Sequence, residues 1–78
     1  MKSLVERKKK LQDILESVGD KIKARRIKKG MTQFDLADAV GCNQDNISRI
    51  ESGKNNVTIE YLFKIADALN VSIAYFFK

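Results

Sequence analysis

Histidine, tryptophan and proline are absent from these 78 residues, and there is one cysteine. Without histidine there is no Cys–His nucleophile pair and no imidazole to ligate a metal. A single thiol cannot close an internal disulfide, so stability must come from packing, and such cysteine usage fits a reducing cytosol. No apolar run approaches the roughly 20 residues needed to span a bilayer. The basic start at Lys2 is not followed by the unbroken apolar stretch of a signal peptide. Strand alternation, internal repeats and low-complexity linkers are missing. So are a phosphate-binding glycine loop and paired acids in an evident cleft, which leaves an enzyme as the least supported class. The expectations are one small cytoplasmic domain with no catalytic residue, metal site, cofactor or membrane partner.

Positive charge is unevenly spread. Residues 1–30 carry eleven Lys/Arg against four Asp/Glu, whereas residues 31–78 carry four against six. A polyanion partner is one explanation; a solvated basic helix surface is the other.

Thr32 to Lys54, TQFDLADAVGCNQDNISRIESGK, organises the chain. Thr32 is an N-cap, with Asp35 in the first turn to oppose the helix dipole. Leu36, Ala37 and Val40 follow at helical spacing, and Gly41 supplies the stop. Asn43 caps a second helix with Ile47 and Ile50 on one face. The turn Gly41-Cys42-Asn43 is too short to let the helices part, so Ala37, Val40, Ile47 and Ile50 form one seam. This is a helix-turn-helix whose second member turns Gln44, Asp45, Ser48 and Arg49 outward.

The flanking segments are also helical. Leu4, Leu11, Leu15, Val18 and Ile22 form a stripe beside the basic run Arg7 to Lys10. Gly19-Asp20 offers a break before a helix over 20–29 with Ile22, Arg26 and Ile27 inward, although a helical glycine costs only about 1 kcal/mol and one long bent helix is the alternative. Gly30 stops that helix and Met31 plugs the gap before Thr32. After a polar loop, Thr58 caps a helix whose buried side is Ile59, Leu62, Phe63, Ile65, Ala66 and Leu69. Asn70 ends it, and Ser72 caps a short Ile73 to Phe77 helix. The fold class is all-α, with five helices, one of them an extension.

From about Gly19 to Phe77 the chain resembles the Cro/CI-type (xenobiotic-response-element) helix-turn-helix family of phage and bacterial regulators. The likeness rests on IKARRIKKGMTQFDLA, VGCNQDNISRIESGK and TIEYLFKIADALNVSIAYFF, in that order. The resemblance implies a compact five-helix, lambda-repressor-like bundle over residues 19–78, with 1–18 as an additional N-terminal helical extension. It also implies a homodimer that binds a partly palindromic operator in double-stranded DNA, with the third helix in the major groove.

Residue roles follow from both sources. The Gln44 amide can pair two-pronged with adenine, and the family places a base contact there. Asp45 can accept from cytosine N4, or it is a first-turn acid that repels wrong sequences. Ser48 and Arg49 lie one turn on, and Arg49 can fork onto guanine or hold a phosphate. Asn46 points partly sideways. Gln33 and Asn43 open helices whose backbone N–H groups face outward, as phosphate sites do; Ser52, Lys54 and Asn55 would clamp the backbone beyond. By the resemblance, Arg26 and Glu51 form a structural ion pair joining helix 1 to helix 3, and the C-terminal Tyr75, Phe76 and Phe77 serve the dimer interface, one of them plugging the monomer core. Cys42 is a small packed side chain, with a redox switch as the alternative. Phe34 departs from the family pattern, either covering the extension or standing exposed. The stripe of residues 1–18 must be buried somewhere, and the basic run beside it reads as a solvated face rather than a phosphate contact.

The function these readings support is a small homodimeric transcriptional regulator, in the simplest case a repressor of its own promoter. A restriction–modification controller protein and an antitoxin are close variants, adding RNA polymerase or a toxin as partners. A protein-interaction module that has lost DNA binding is the competitor from another class.

Overall fold

The computed structural model describes residues 3–78. Four helices and a terminal turn make up this part of the chain: α1 (Leu4–Lys28), α2 (Gln33–Val40), α3 (Gln44–Glu51), α4 (Ile59–Ala68) and a 3-10 turn over Ile73–Phe77. The all-α class stands with these five elements, and α1 runs unbroken through Gly19 and Asp20, which is the long-helix alternative. Gly19 has another task. A Cβ built on it would lie 2.5 Å from the backbone oxygens of both Ile50 and Glu51. The residue is a notch where α1 meets the end of α3, not a break.

The caps fall where side-chain chemistry places them. Ser3, Thr32, Asn43 and Thr58 each accept a hydrogen bond from the backbone N–H three residues on. Thr32 and Asp35 complete a reciprocal capping box. Gly41 ends α2 at φ 87°, and Asn70 follows α4 at φ 57°, both left-handed. Ser72 precedes the last turn without a capping hydrogen bond.

The core gathers one face of every element: Val18 and Ile22 from α1, Leu36 and Ala37 from α2, Ile47 and Ile50 from α3, Leu62, Ile65 and Ala66 from α4, then Leu69 and Phe76. Val40, Cys42 and Met31 pack against it. Cys42 is thus a free, half-buried core-edge thiol. Several side chains expected inside are outside. Ile27, Ile59 and Phe63 are exposed; Phe34 is exposed as well, which is one of the two alternatives given for it. Ile27 misses because α1 turns Ile22 and Arg26 inward, leaving the neighbouring position on the flank. On α4 the buried arc holds Leu62, Ile65, Ala66 and Leu69, and Ile59 and Phe63, four residues apart, share the next face. Leu4 and Leu11 are exposed too, since α1 continues past the body at its N-terminal end. Among the described residues no helix is long and apolar enough to cross a membrane.

Candidate nucleic-acid interface

Eight residues, QDNISRIE, decide what α3 shows. Ile47, Ile50 and Glu51 are buried, which fixes its rotation about its own axis. Gln44, Asp45, Ser48 and Arg49 therefore all lie on the exposed side. The Arg49 Nε donates to Asp45 Oδ2 at 2.9 Å, one turn apart. An exposed pair of this kind contributes about 0–1 kcal/mol, so it steers the guanidinium without locking it. Asp45 thereby acquires a concrete use: it aligns Arg49 through Nε, and both side chains stay exposed. Asn46 is half-buried, in keeping with its sideways position.

The backbone-contact candidates divide into two groups. Gln33, Ser48 and Ser52 line one cleft of about 310 Å³ together with Asp20, Lys23 and Glu51. Asn55 instead lines a separate cavity of about 180 Å³ with Asn46 and Tyr61. Lys54 is exposed between them in sequence, and its N–H closes the end of α3 on Arg49 O at 2.9 Å. The Ser52 hydroxyl already donates to its own helix, with Ser48 O at 3.0 Å and Arg49 O at 3.1 Å. The Asn43 side chain accepts from Asn46 N–H at 2.9 Å, the capping role.

Lys23, which lines the first cleft, is a residue that the sequence reading did not single out. A usable signal existed: Lys23 lies three residues before Arg26, and Arg26 meets α3, so both share the α3-facing side of α1.

Beneath this surface Arg26 clamps α1 to α3. Its Nε and Nη2 donate to the two carboxylate oxygens of Glu51 at 2.7 and 3.0 Å, and its Nη1 donates to Met31 O at 2.8 Å. Both residues are buried. Hydrogen bonding to Glu51 pushes the Arg26 pKa further up, against the opposing pull of desolvation. Gln33 Nε2 also donates to Glu51, at 3.1 Å, so the clamp positions a phosphate-contact candidate as well.

The C-terminal aromatics separate. Phe76 is fully buried, so its place is the monomer core; it is not available to a dimer contact, which corrects its grouping with the interface residues. The turn alternates directions, leaving Tyr75 and Phe77 exposed on either side of it. Tyr75 packs edge-on against Phe76 with centroids 5.9 Å apart.

Tyr61 presents the one orphan among the described residues: its hydroxyl is enclosed without a hydrogen-bond partner. Burial first, then the adjacent Cys42 thiol, push its pKa up from 10.0 to about 12. A buried hydroxyl without a partner opposes folding, so Tyr61→Phe should hold or raise the thermal midpoint at neutral pH. Because the neutral phenol is the form favoured on folding, its share of stability is intact below pH 10 and lost as pH rises toward about 12. Thermal melts across that window should fall less steeply for Tyr61→Phe than for the parent chain. A lower midpoint at pH 7 would show that the hydroxyl has a stabilising partner.

Among the described residues, no group of three or more His, Cys, Asp or Glu is placed to hold a metal ion. The surface is instead two helix starts and a polar ridge that exposes amide, hydroxyl and guanidinium groups, the kinds of group that bond phosphates and base edges.

Comparison with known proteins agrees with that geometry. The helix-turn-helix family HTH_3 matches residues 22–76. An uncharacterized HTH-type transcriptional regulator of Sinorhizobium medicae is 36% identical over 75 residues, covering 96% of this chain and 54% of the relative. The chain spans about half the length of the curated relatives it matches. Among solved structures, the restriction-modification controller protein C.AhdI from Aeromonas hydrophila superposes with a TM-score of 0.80 at 26% identity, over 83% of this chain and 94% of that one. The wild-type restriction-modification controller protein C.Esp1396I gives a TM-score of 0.75 at 42% identity, over 82% of each chain. By its sequence, its caps and its arrangement of helices, the chain belongs to the Cro/CI-type helix-turn-helix family.

Proposed function

We propose that this protein is a sequence-specific transcriptional regulator that binds a palindromic operator in double-stranded DNA as a homodimer, with α3 in the major groove. One observation carries the reading: burial of Ile47, Ile50 and Glu51 leaves Gln44, Asp45, Ser48 and Arg49 together on the exposed side of α3. Gln44, at the first turn, reads adenine through its amide. Arg49, steered by Asp45, takes guanine or the adjoining phosphate. Gln33 and Lys23 hold the backbone on the α1–α2 side, Lys54 on the other, with Ser52 and Asn43 contributing at the two ends of α3 and Asn55 beyond. Two-fold symmetry puts the half-sites about 34–36 Å apart. Tyr75 is the exposed ring of the C-terminal turn offered to the dimer contact, while Phe77 lines a groove against α1.

The output is repression, in its simplest form of the protein's own promoter. Kinship with restriction-modification controllers supports the controller variant, since C.Esp1396I has been solved as a tetramer on its natural 35 base-pair operator and is 42% identical to this chain.

Selection from a random pool of duplex DNA tests this directly, followed by titration of the selected site at two salt concentrations. A palindromic site should emerge, and its affinity should fall steeply with salt. Gln44→Ala should weaken the selected site by about 1–3 kcal/mol and relax preference at one position per half-site, with little effect on random DNA. Absence of selective binding at low salt, or a Gln44→Ala variant that selects the same site with the same affinity, would refute the proposal in favour of an interaction module.

A further inference from the structure

Alpha-helical register sorts the side chains of α1 into three stripes. Glu6, Asp13, Glu16 and Asp20, spaced by seven, three and four, hold all its acids on one side. Leu4, Leu11, Leu15, Val18 and Ile22 form the apolar stripe, on a different side. Along one border of that stripe, between it and the acids, run Arg7, Lys10, Ile14, Lys21 and Arg25, spaced by three, four, seven and four. In the body of the protein the apolar stripe is core, at Val18 and Ile22. Toward the N-terminus the same stripe is uncovered, and Leu4 and Leu11 face outward. Where the two regimes meet, α1 and the C-terminal turn enclose a groove of about 230 Å³. Ile14, 51% exposed, and Phe77, 56% exposed, form its lips over Val18 and Phe76. Lys21 stands in the groove as well, and Asp13 is the one acidic side chain lining it.

We propose that this groove, continued along Leu11 and Leu4, is a docking site for an acidic amphipathic helix of another protein. The apolar floor supplies burial and the Arg7–Lys10–Lys21 border selects the charge. None of the ion pairs among the described residues engages those three side chains. A second copy of the same chain is a poorer occupant, since pairing two such faces sets basic border against basic border. Duplex DNA is poorer too, because phosphates gain nothing from Leu4, Leu11, Ile14 and Phe77. A flat anionic bilayer fits a convex stripe better than a groove walled by the C-terminal turn.

The test uses the full chain and a fluorescein-labelled designed peptide of about five helical turns, with leucine at core positions and glutamate flanking them. Anisotropy should report saturable binding that weakens with salt. A peptide with lysine in place of glutamate should bind at least about tenfold more weakly. Ile14→Glu should lower affinity for the acidic peptide at least about tenfold while leaving the thermal midpoint unchanged, because that side chain is already half in solvent. Equal binding of the two peptides, or none at about 1 mM, a concentration matching only about −4 kcal/mol, overturns the proposal. So does sedimentation showing that Ile14→Glu turns a dimer into monomers, which would assign the face to a second copy. Ile14-dependent binding to vesicles of phosphatidylglycerol and phosphatidylcholine, without peptide binding, would assign it to a membrane and overturn it equally.

Discussion

Glu51→Ala is expected to lose about 3–5 kcal/mol of stability, enough to unfold the domain or leave it loosely packed at 37 °C. The loss comes less from the missing attraction than from what remains behind. Arg26 is 7% exposed, and Glu51 accepts two of its hydrogen bonds. Without that carboxylate the guanidinium keeps only Met31 O as a partner, in a site closed to water. For a domain of this size, 1 kcal/mol moves the midpoint by roughly 4–8 °C, so the shift should exceed about 12 °C. The double variant Arg26→Met, Glu51→Leu discriminates between causes: it removes both charges and should recover most of the loss. Glu51→Ala with an unchanged melt would refute the pairing. If the double variant were as unstable as the single one, the geometry of the clamp would matter more than its charge. Gln33 would lose a partner in either variant, so any folded fraction should also bind DNA less well.

The helix-turn-helix itself was legible in the sequence because each of its signals has a local cause. Thr32 and Asn43 cap through their own side chains, Gly41 ends α2 because it reaches a left-handed backbone, and Ile47 and Ile50 fix the face of α3 by spacing alone. Asn70 was legible for the same reason as Gly41. What failed depended on tertiary neighbours. Periodicity put Ile59 and Phe63 on the inner side of α4, yet an apolar stripe wider than its partner surface leaves its margin outside, and nothing local says which margin. The three terminal aromatics were indistinguishable by composition; only the 3-10 turn sends Phe76 inward and its neighbours out. In the candidate site, the outward set Gln44, Asp45, Ser48 and Arg49 followed from helical geometry. The Asp45–Arg49 bond did not, because it required knowing the rotamer of one residue, and the place of Lys23 was reachable only through the Arg26–Glu51 pair.

Gly19→Ala carries the sharpest test of how α1 supports α3, because two readings of that glycine predict opposite signs. If Gly19 marked an interruption between an extension and a helix, alanine would favour continuous helix and stabilise it by up to about 1 kcal/mol. The packing predicts a loss. The new Cβ would stand 2.5 Å from Ile50 O, 2.5 Å from Glu51 O and 2.8 Å from Glu51 C, all of them backbone atoms that no rotamer change can move. Relief requires sliding α1 off the last turn of α3, which also strains the Arg26–Glu51 bonds seven residues along α1. Overpacking of this kind typically costs about 1–3 kcal/mol, which exceeds the helix-propensity gain. Urea or thermal denaturation of Gly19→Ala should therefore show a net loss, and Gly19→Leu a larger one. The folded fraction should bind the selected operator more weakly, since the tilt of α3 is set by that contact, while its affinity for random DNA should change little. A Gly19→Ala chain as stable as its parent would mean that α1 and α3 do not approach this closely, and the positioning assigned to α1 would have to be abandoned.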